Sequence, residues 1–240
     1  MDGTTMRQDI APGKLARFRH RAHANPLADD GIPLPCTTPE EFPFEKYYEG
    51  QAFKRFDILD IGCGYGDFVK DVSRRWPRKC VLGLEIRDIP VALGQRQLLK
   101  IREDEGVCRN GAIVRCNAMR ALPRLIVGGT VEVITIMFPD PQFKRSHAQR
   151  RIVSGPLATE YAYYLKEGGY LFICTDVHDL FVYMTEVLNK HPLFEKVEHA
   201  DLDPLSRDIL DLMLKTADAD RHQRKNPGAT VYRGVYRVTK

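Results

Sequence analysis

A short apolar run, Phe56-Asp57-Ile58-Leu59-Asp60-Ile61, ends directly in Gly62-Cys63-Gly64-Tyr65-Gly66, and no other junction in the 240 residues constrains the fold as tightly. Three glycines in five positions open backbone angles closed to other residues and let a ligand approach the main chain. Phe68, Val69 and Val72 follow at helical spacing, so the chain reads strand, tight glycine turn, helix. The alternation then recurs. Cys80–Glu85 is predicted as a second strand, Pro90 to about Glu105 as a helix, and Gly111–Cys116 as a third strand. Val131–Phe138 is a near-continuous run of β-branched residues, the pattern of a fourth strand buried on both faces. A helix from about Arg150 to Leu165 leads through Gly168-Gly169 to a fifth strand, Tyr170–Thr175, and Asp179–Asn189 reads as a further helix. Thr230–Thr239 has strand character and is expected to close the sheet. Such repetition with short turns predicts an α/β fold with a doubly wound, mostly parallel, Rossmann-like sheet.

Residues 1–50 differ. Pro26, Pro33, Pro35, Pro39 and Pro43 oppose a continuous helix or central strand there, so an extended basic, proline-rich arm is expected ahead of a domain spanning 51–240. The net charge of +4 says little, but its distribution says more. Lys14, Arg17, Arg19 and Arg21 form one cluster, Lys144, Arg145, Arg150 and Arg151 a second, and Arg221, Arg224 and Lys225 a third. If they converge on one face they make a phosphate-binding track; separate solvated patches are the alternative. No apolar run reaches about 18 residues, so no membrane span is expected. Met1–His20 lacks the apolar stretch of a secretory signal. Six cysteines without a CxxC pair read as reduced thiols, and the histidines show no metal-ligand spacing, so no metal is expected.

Open α/β sheets bind ligands beyond the carboxyl ends of their strands. Those ends carry Gly62–Gly66, Glu85 with Arg87, Asn117 with Ala118, Pro139 with Asp140, and Thr175 with Asp176. The turn is GxGxG, not the GxGxxG of dinucleotide sites, and no second phosphate cradle is visible. Glu85 is placed to accept hydrogen bonds from ribose hydroxyls.

Taken in order, LDIGCGYGDF, GLEIR, CNAM, FPDPQFKR, RRIV and TDVHDL resemble the tRNA (guanine-N7)-methyltransferase family, over about residues 17 to 237. Arg21-Ala22-His23-Ala24-Asn25-Pro26-Leu27-Ala28-Asp29 resembles the arm of its eukaryotic branch. The resemblance implies the class I methyltransferase fold with an antiparallel C-terminal strand. It also implies S-adenosylmethionine as cofactor, S-adenosylhomocysteine as product, and a variable-loop guanosine of tRNA as substrate. Cofactor-binding candidates are then Gly62, Gly64, Glu85, Ile86, Arg87, Asn117, Ala118, Phe138, Thr216 and Asp218, with Asp140 as the catalytic residue. Lys144, Arg145, Arg150, Arg151, Arg21 and His23 are the RNA-binding candidates, and His147 reads as a surface histidine. The resemblance further implies a WD-repeat β-propeller partner and a nuclear location, with a cytoplasmic one also open. Two positions depart from the family: Asp218 stands where Glu is usual, and Gln142 where eukaryotic members have His and bacterial members Trp. Gln142 is therefore assigned no catalytic role. The rivals are a methyltransferase of the same fold acting on another RNA, a protein or a small molecule, and a non-enzymatic RNA-binding subunit. FPDPQFKR and the basic clusters oppose a protein or small-molecule substrate; an intact turn with Glu85 and Asp140 opposes loss of catalysis.

Overall fold

A computed structural model describes residues 24–28, 31–215, 220, 228 and 230–240. Its strands are β1 (Ile58–Ile61), β2 (Val81–Glu85), β3 (Gly111–Arg115), β4 (Val131–Met137), β5 (Leu165–Thr175), β6 (Phe194–Lys196) and β7 (Tyr232–Val238). They form one sheet in the order β3-β2-β1-β4-β5-β7-β6. The first five pair in parallel, and β7 lies antiparallel between β5 and β6. Successive strand residues point to opposite faces, and the apolar clusters divide accordingly. Leu59, Ile61, Leu82, Leu84, Ile134 and Ile136 meet α4 (Ala118–Leu125), α5 (Gly155–Tyr164) and α6 (His178–Asn189) on one face. Ile58, Val81, Ile113 and Val133 meet α2 (Asp67–Arg75), α3 (Asp88–Glu105) and α7 (Pro204–Leu212) on the other. Burial on both faces is what the uninterrupted apolar strands require.

Several elements differ from the sequence reading. Residues 145–150 form a 3₁₀ turn, and α5 starts only at Gly155, behind Ser154 and with Pro156 in its first turn. Gly168-Gly169 lies inside β5, which starts at Leu165, because the β4–β5 register shifts between Val131 and Val133. A bulge there takes up the left-handed Gly168 (φ +69°). The last strand does not close the sheet: β6, with one buried residue, Phe194, lies outside it. Helix α4 carries Pro123 in its interior, which hides it from a propensity reading.

Part of the proline-rich stretch packs into the domain. Tyr48, just after α1 (Phe44–Tyr47), is fully buried and its hydroxyl donates to Val81 O at 3.0 Å. Phe42 stands with its ring centroid 4.9 Å from those of both Phe44 and Phe56. These rings and Cys36 join the cluster that covers one face of the sheet. All six cysteines are buried and unbridged.

The packing of α3 positions the glycine turn directly. A Cβ built on Gly94 would lie 2.6 Å from the Tyr65 carbonyl oxygen and 2.8 Å from Ile113 Cδ1, so only a hydrogen fits between helix and turn. Gly94→Ala is expected to cost about 1–3 kcal/mol through overpacking, more than the roughly 1 kcal/mol of helix propensity it gains. Urea unfolding measures this directly; an alanine variant with an undiminished midpoint contradicts the contact.

Candidate cofactor and catalytic site

At the end of β1, Gly62, Gly64 and Gly66 all take left-handed angles (φ +81°, +54° and +70°), which side chains rarely adopt. Gly66 is the N-cap of α2. A Cβ on Gly62 would meet nothing within 4 Å, so an open cradle lies beside the main chain. At the end of β2, Glu85 is only 4% exposed. Its Oε2 accepts from Gly64 N at 3.1 Å and Arg87 Nη2 at 3.0 Å, and its Oε1 from Arg87 N at 2.9 Å and Arg87 Nε at 3.1 Å. The bond to Glu85 pushes the Arg87 pKa up, burial opposes the shift, and the charges of Glu85 and Asp140 add to it. A carboxylate offers about four acceptor positions, so a ribose diol seated on Glu85 would displace part of the Arg87 fork.

At the end of β3, Asn117 caps α4: its Oδ1 accepts from Met119 N at 3.2 Å, and its Nδ2 donates to Pro26 O at 2.5 Å. Arg120 Nη2 adds a bond to Leu27 O at 3.2 Å, so residues 24–28 are tied across this side. Burial pushes the neighbouring Cys116 thiol up to about 12, with the Glu85 charge adding to the shift; at neutral pH it is a protonated wall residue. At the end of β4, Phe138 turns left-handed (φ +47°) while its N–H donates to Cys174 O at 2.8 Å. Asp140 follows and is exposed.

These four strand ends enclose one cavity of about 300 Å³, within the size range of small-molecule sites. Gly62, Gly64, Glu85, Ile86, Arg87, Asn117, Ala118, Phe138 and Asp140 all line it. Arg150, expected to contact RNA, lines the same cavity, and its buried Nε has no hydrogen-bond partner among the described residues. Lys144 and Arg145 are exposed outside it. Arg151 is engaged within the protein: its Nε donates to Gln142 O at 3.2 Å and its guanidinium lies 4.3 Å above the Tyr183 ring. Thr216, Asp218, Arg21 and His23 lie outside the described residues. Ala24, Pro26, Gln142 and Ile152 also line the cavity without having been singled out as binding residues. The turn formed by residues 24–28 has no periodicity to reveal it, and Gln142 was set aside because its position varies. Among the described residues, no group of three or more His, Cys, Asp or Glu side chains is disposed to hold a metal ion.

The open cradle at Gly62 and the buried acceptor Glu85 fit the amino-acid and nucleoside parts of S-adenosylmethionine. A family model described as "Putative methyltransferase" matches residues 54–227. A tRNA (guanine-N(7)-)-methyltransferase of Arabidopsis thaliana is 32% identical over 98% of this chain and 95% of its own. One of Caenorhabditis elegans is 34% identical over 92% and 87%, and one of Dictyostelium discoideum 40% identical over 75% and 66%. The chain belongs to the tRNA (guanine-N(7)-)-methyltransferase family. Among solved structures, the aminoglycoside resistance methyltransferase NpmB1 superposes with a TM-score of 0.54 at 16% identity, covering 84% of this chain and 94% of that one. The 16S rRNA methyltransferase KamB gives 0.50 at 14% identity, over 83% and 93%. At such identity the likeness is one of fold, the class I methyltransferase sheet with its antiparallel seventh strand.

For this family member, Glu85→Gln keeps the shape of the side chain but removes its charge and exchanges one of its two acceptor oxygens for a donor. Such a bond is worth about 1.5–3 kcal/mol, so calorimetric affinity for S-adenosylhomocysteine should fall roughly 10- to 100-fold. An unchanged Kd would take Glu85 out of ribose recognition.

Proposed function

We propose that this chain is the catalytic subunit of a tRNA (guanine-N7)-methyltransferase that methylates a variable-loop guanosine. The observation that carries the reading is that Asp140, Glu85 and the open Gly62 cradle line one cavity. Bound S-adenosylmethionine supplies the methyl group on a sulfonium, already a strong electrophile. Guanine N7 has a lone pair and no proton, so no general base is needed at that atom. The protein's task is to hold N7 in line and at near-attack distance, and orientation of this kind supplies about 7–11 kcal/mol. Asp140 accepts hydrogen bonds from the guanine N1–H and N2–H₂ edge and stabilises the purine as it becomes cationic. Gly62, Gly64, Glu85, Ile86, Arg87, Asn117, Ala118 and Phe138 hold the cofactor, with Thr216 and Asp218 assigned to the same task by resemblance. The nucleotide must leave its stack, at a cost of a few kcal/mol. Exposed Lys144 and Arg145 offset this through phosphate contacts, and Arg21 and His23 are assigned a second RNA contact. A WD-repeat β-propeller subunit is the proposed partner, supported by the exposure of Leu93 and Leu99 on α3. The nucleus is the proposed place of work, on family resemblance.

Asp140→Ala should lower kcat on unmodified tRNA by roughly 10²–10³-fold, the scale for losing a preorganised charge-stabilising group, with the Kd for S-adenosylhomocysteine unchanged. Transfer of labelled methyl, with and without the propeller partner, followed by mapping of N7-methylguanosine, measures the rate and the modified atom, and calorimetry measures the Kd. Undiminished turnover in the variant would remove Asp140 from the chemistry.

A further inference from the structure

Arg151 sits in a basic run that charge alone assigns to RNA, yet its Nε and one face of its planar guanidinium are spent inside the protein. The chain leaves β4 at Met137, passes Asp140 and the turn at 145–150, and returns at Arg151 and Ile152. On the outgoing side two non-glycine residues are left-handed, Phe138 (φ +47°) and Gln142 (φ +48°), two positions either side of Asp140. Each such residue costs of order 1–2 kcal/mol and persists only where its surroundings hold it. Phe138 is held by its bond to Cys174 O on β5. On the returning side, fully buried Tyr161 of α5 donates to Ile152 O at 2.7 Å. Tyr183 of α6 carries the Arg151 guanidinium, whose Nε reaches the Gln142 carbonyl. The fixity of α5 and α6 therefore passes through Arg151 to a strained residue two positions from Asp140.

We infer that Arg151 is a positioning residue: stacked on Tyr183, it ties Gln142 and so closes the loop that presents Asp140. This rests on the function proposed above. An arginine is required because one planar group must stack and donate at once, which a lysine ammonium does not do. Lys144 and Arg145, exposed on the same loop, remain for phosphate.

The test separates a tie from a phosphate contact. Arg151→Lys keeps the charge and loses the planar group. It should lower kcat on the order of a hundredfold, the effect of a displacement of about 1 Å at a catalytic group, with KM for tRNA and the Kd for S-adenosylhomocysteine near wild type. Tyr183→Leu should match it, Tyr183→Phe should retain the wild-type rate, and Arg151→Lys with Tyr183→Leu should be no worse than the more damaging single change. The salt dependence of tRNA binding should stay at the wild-type slope in Arg151→Ala but fall by about one in Lys144→Ala. Amide hydrogen exchange across 142–151, measured without tRNA, should speed up in Arg151→Lys and Tyr183→Leu but not in Tyr183→Phe. That readout needs no methyl transfer, so a wild-type chain inactive on tRNA both with and without the propeller partner would sink the proposed function while the tie is still judged. Arg151→Lys with normal kcat and normal exchange overturns the tie, as does a salt slope lowered by one in Arg151→Ala at undiminished kcat. If Arg151→Lys does not fold, Tyr183→Leu decides on the same two readouts.

Discussion

A carboxylate as deeply buried as Glu85 must be met by donors, because an uncompensated charge in that position costs several kcal/mol. The donors it finds are the Gly64 amide, on the turn after β1, and the Arg87 fork, on the turn after β2. One side chain thus sets the distance between two strand ends and aims the glycine cradle beside them. Arg87 extends the connection: its positive charge also feels Asp140, at the end of β4. A cofactor approaching Glu85 therefore meets an occupied acid, and any ribose it brings competes with a group that also senses the substrate side of the cavity.

Beneath the turn a second polar link ties β1 to β4. Thr135 Oγ1 on β4 donates to Asp60 Oδ1 on β1 at 2.8 Å, with Leu59 O at 3.3 Å as a second acceptor. Both side chains are buried, Asp60 two residues before Gly62 and Thr135 three before Phe138. The parallel register pairs Asp60 with Thr135 directly, so the bond adds no strain to either strand. Because β1, β2, β3 and β4 run the same way, all their carboxyl ends open on one side, and residues far apart in sequence share a wall.

That topology is why so much of the site was legible beforehand. With the run into Gly62 read as a strand, strand-end logic points to Glu85, Asn117 and Asp140 and equally to Thr175 and Asp176, which do not line the cavity; the family resemblance narrows the set. What escaped notice depended on contacts without a sequence period. Phe42, Phe44, Tyr48 and Phe56 are irregularly spaced, so nothing announced that they pack together on the sheet. Pro26 reaches the cavity through a bond between its carbonyl and an amide 91 residues away. Strand β6 is too short for any alternation to show, and Pro123 masked a helix whose cap, Asn117, had been noticed only as a binding candidate.

The basic run from Lys144 to Arg151 shows most clearly where counting charges fails. A 3₁₀ turn has three residues per turn and superposes positions i and i+3. Along residues 145–150 only His147 and Arg150 are partly buried, three apart, while Arg145, Ser146, Ala148 and Gln149 face outward. The turn therefore sends Arg150 into the cavity and leaves Arg145 to solvent, and Arg151, at its C-cap, leaves the turn for Tyr183. Four like charges in eight positions thus have three different surroundings, set by the pitch of one short turn. Net charge registers them alike; only the geometry separates a cation free to meet phosphate from one that faces the cavity and one that holds the loop.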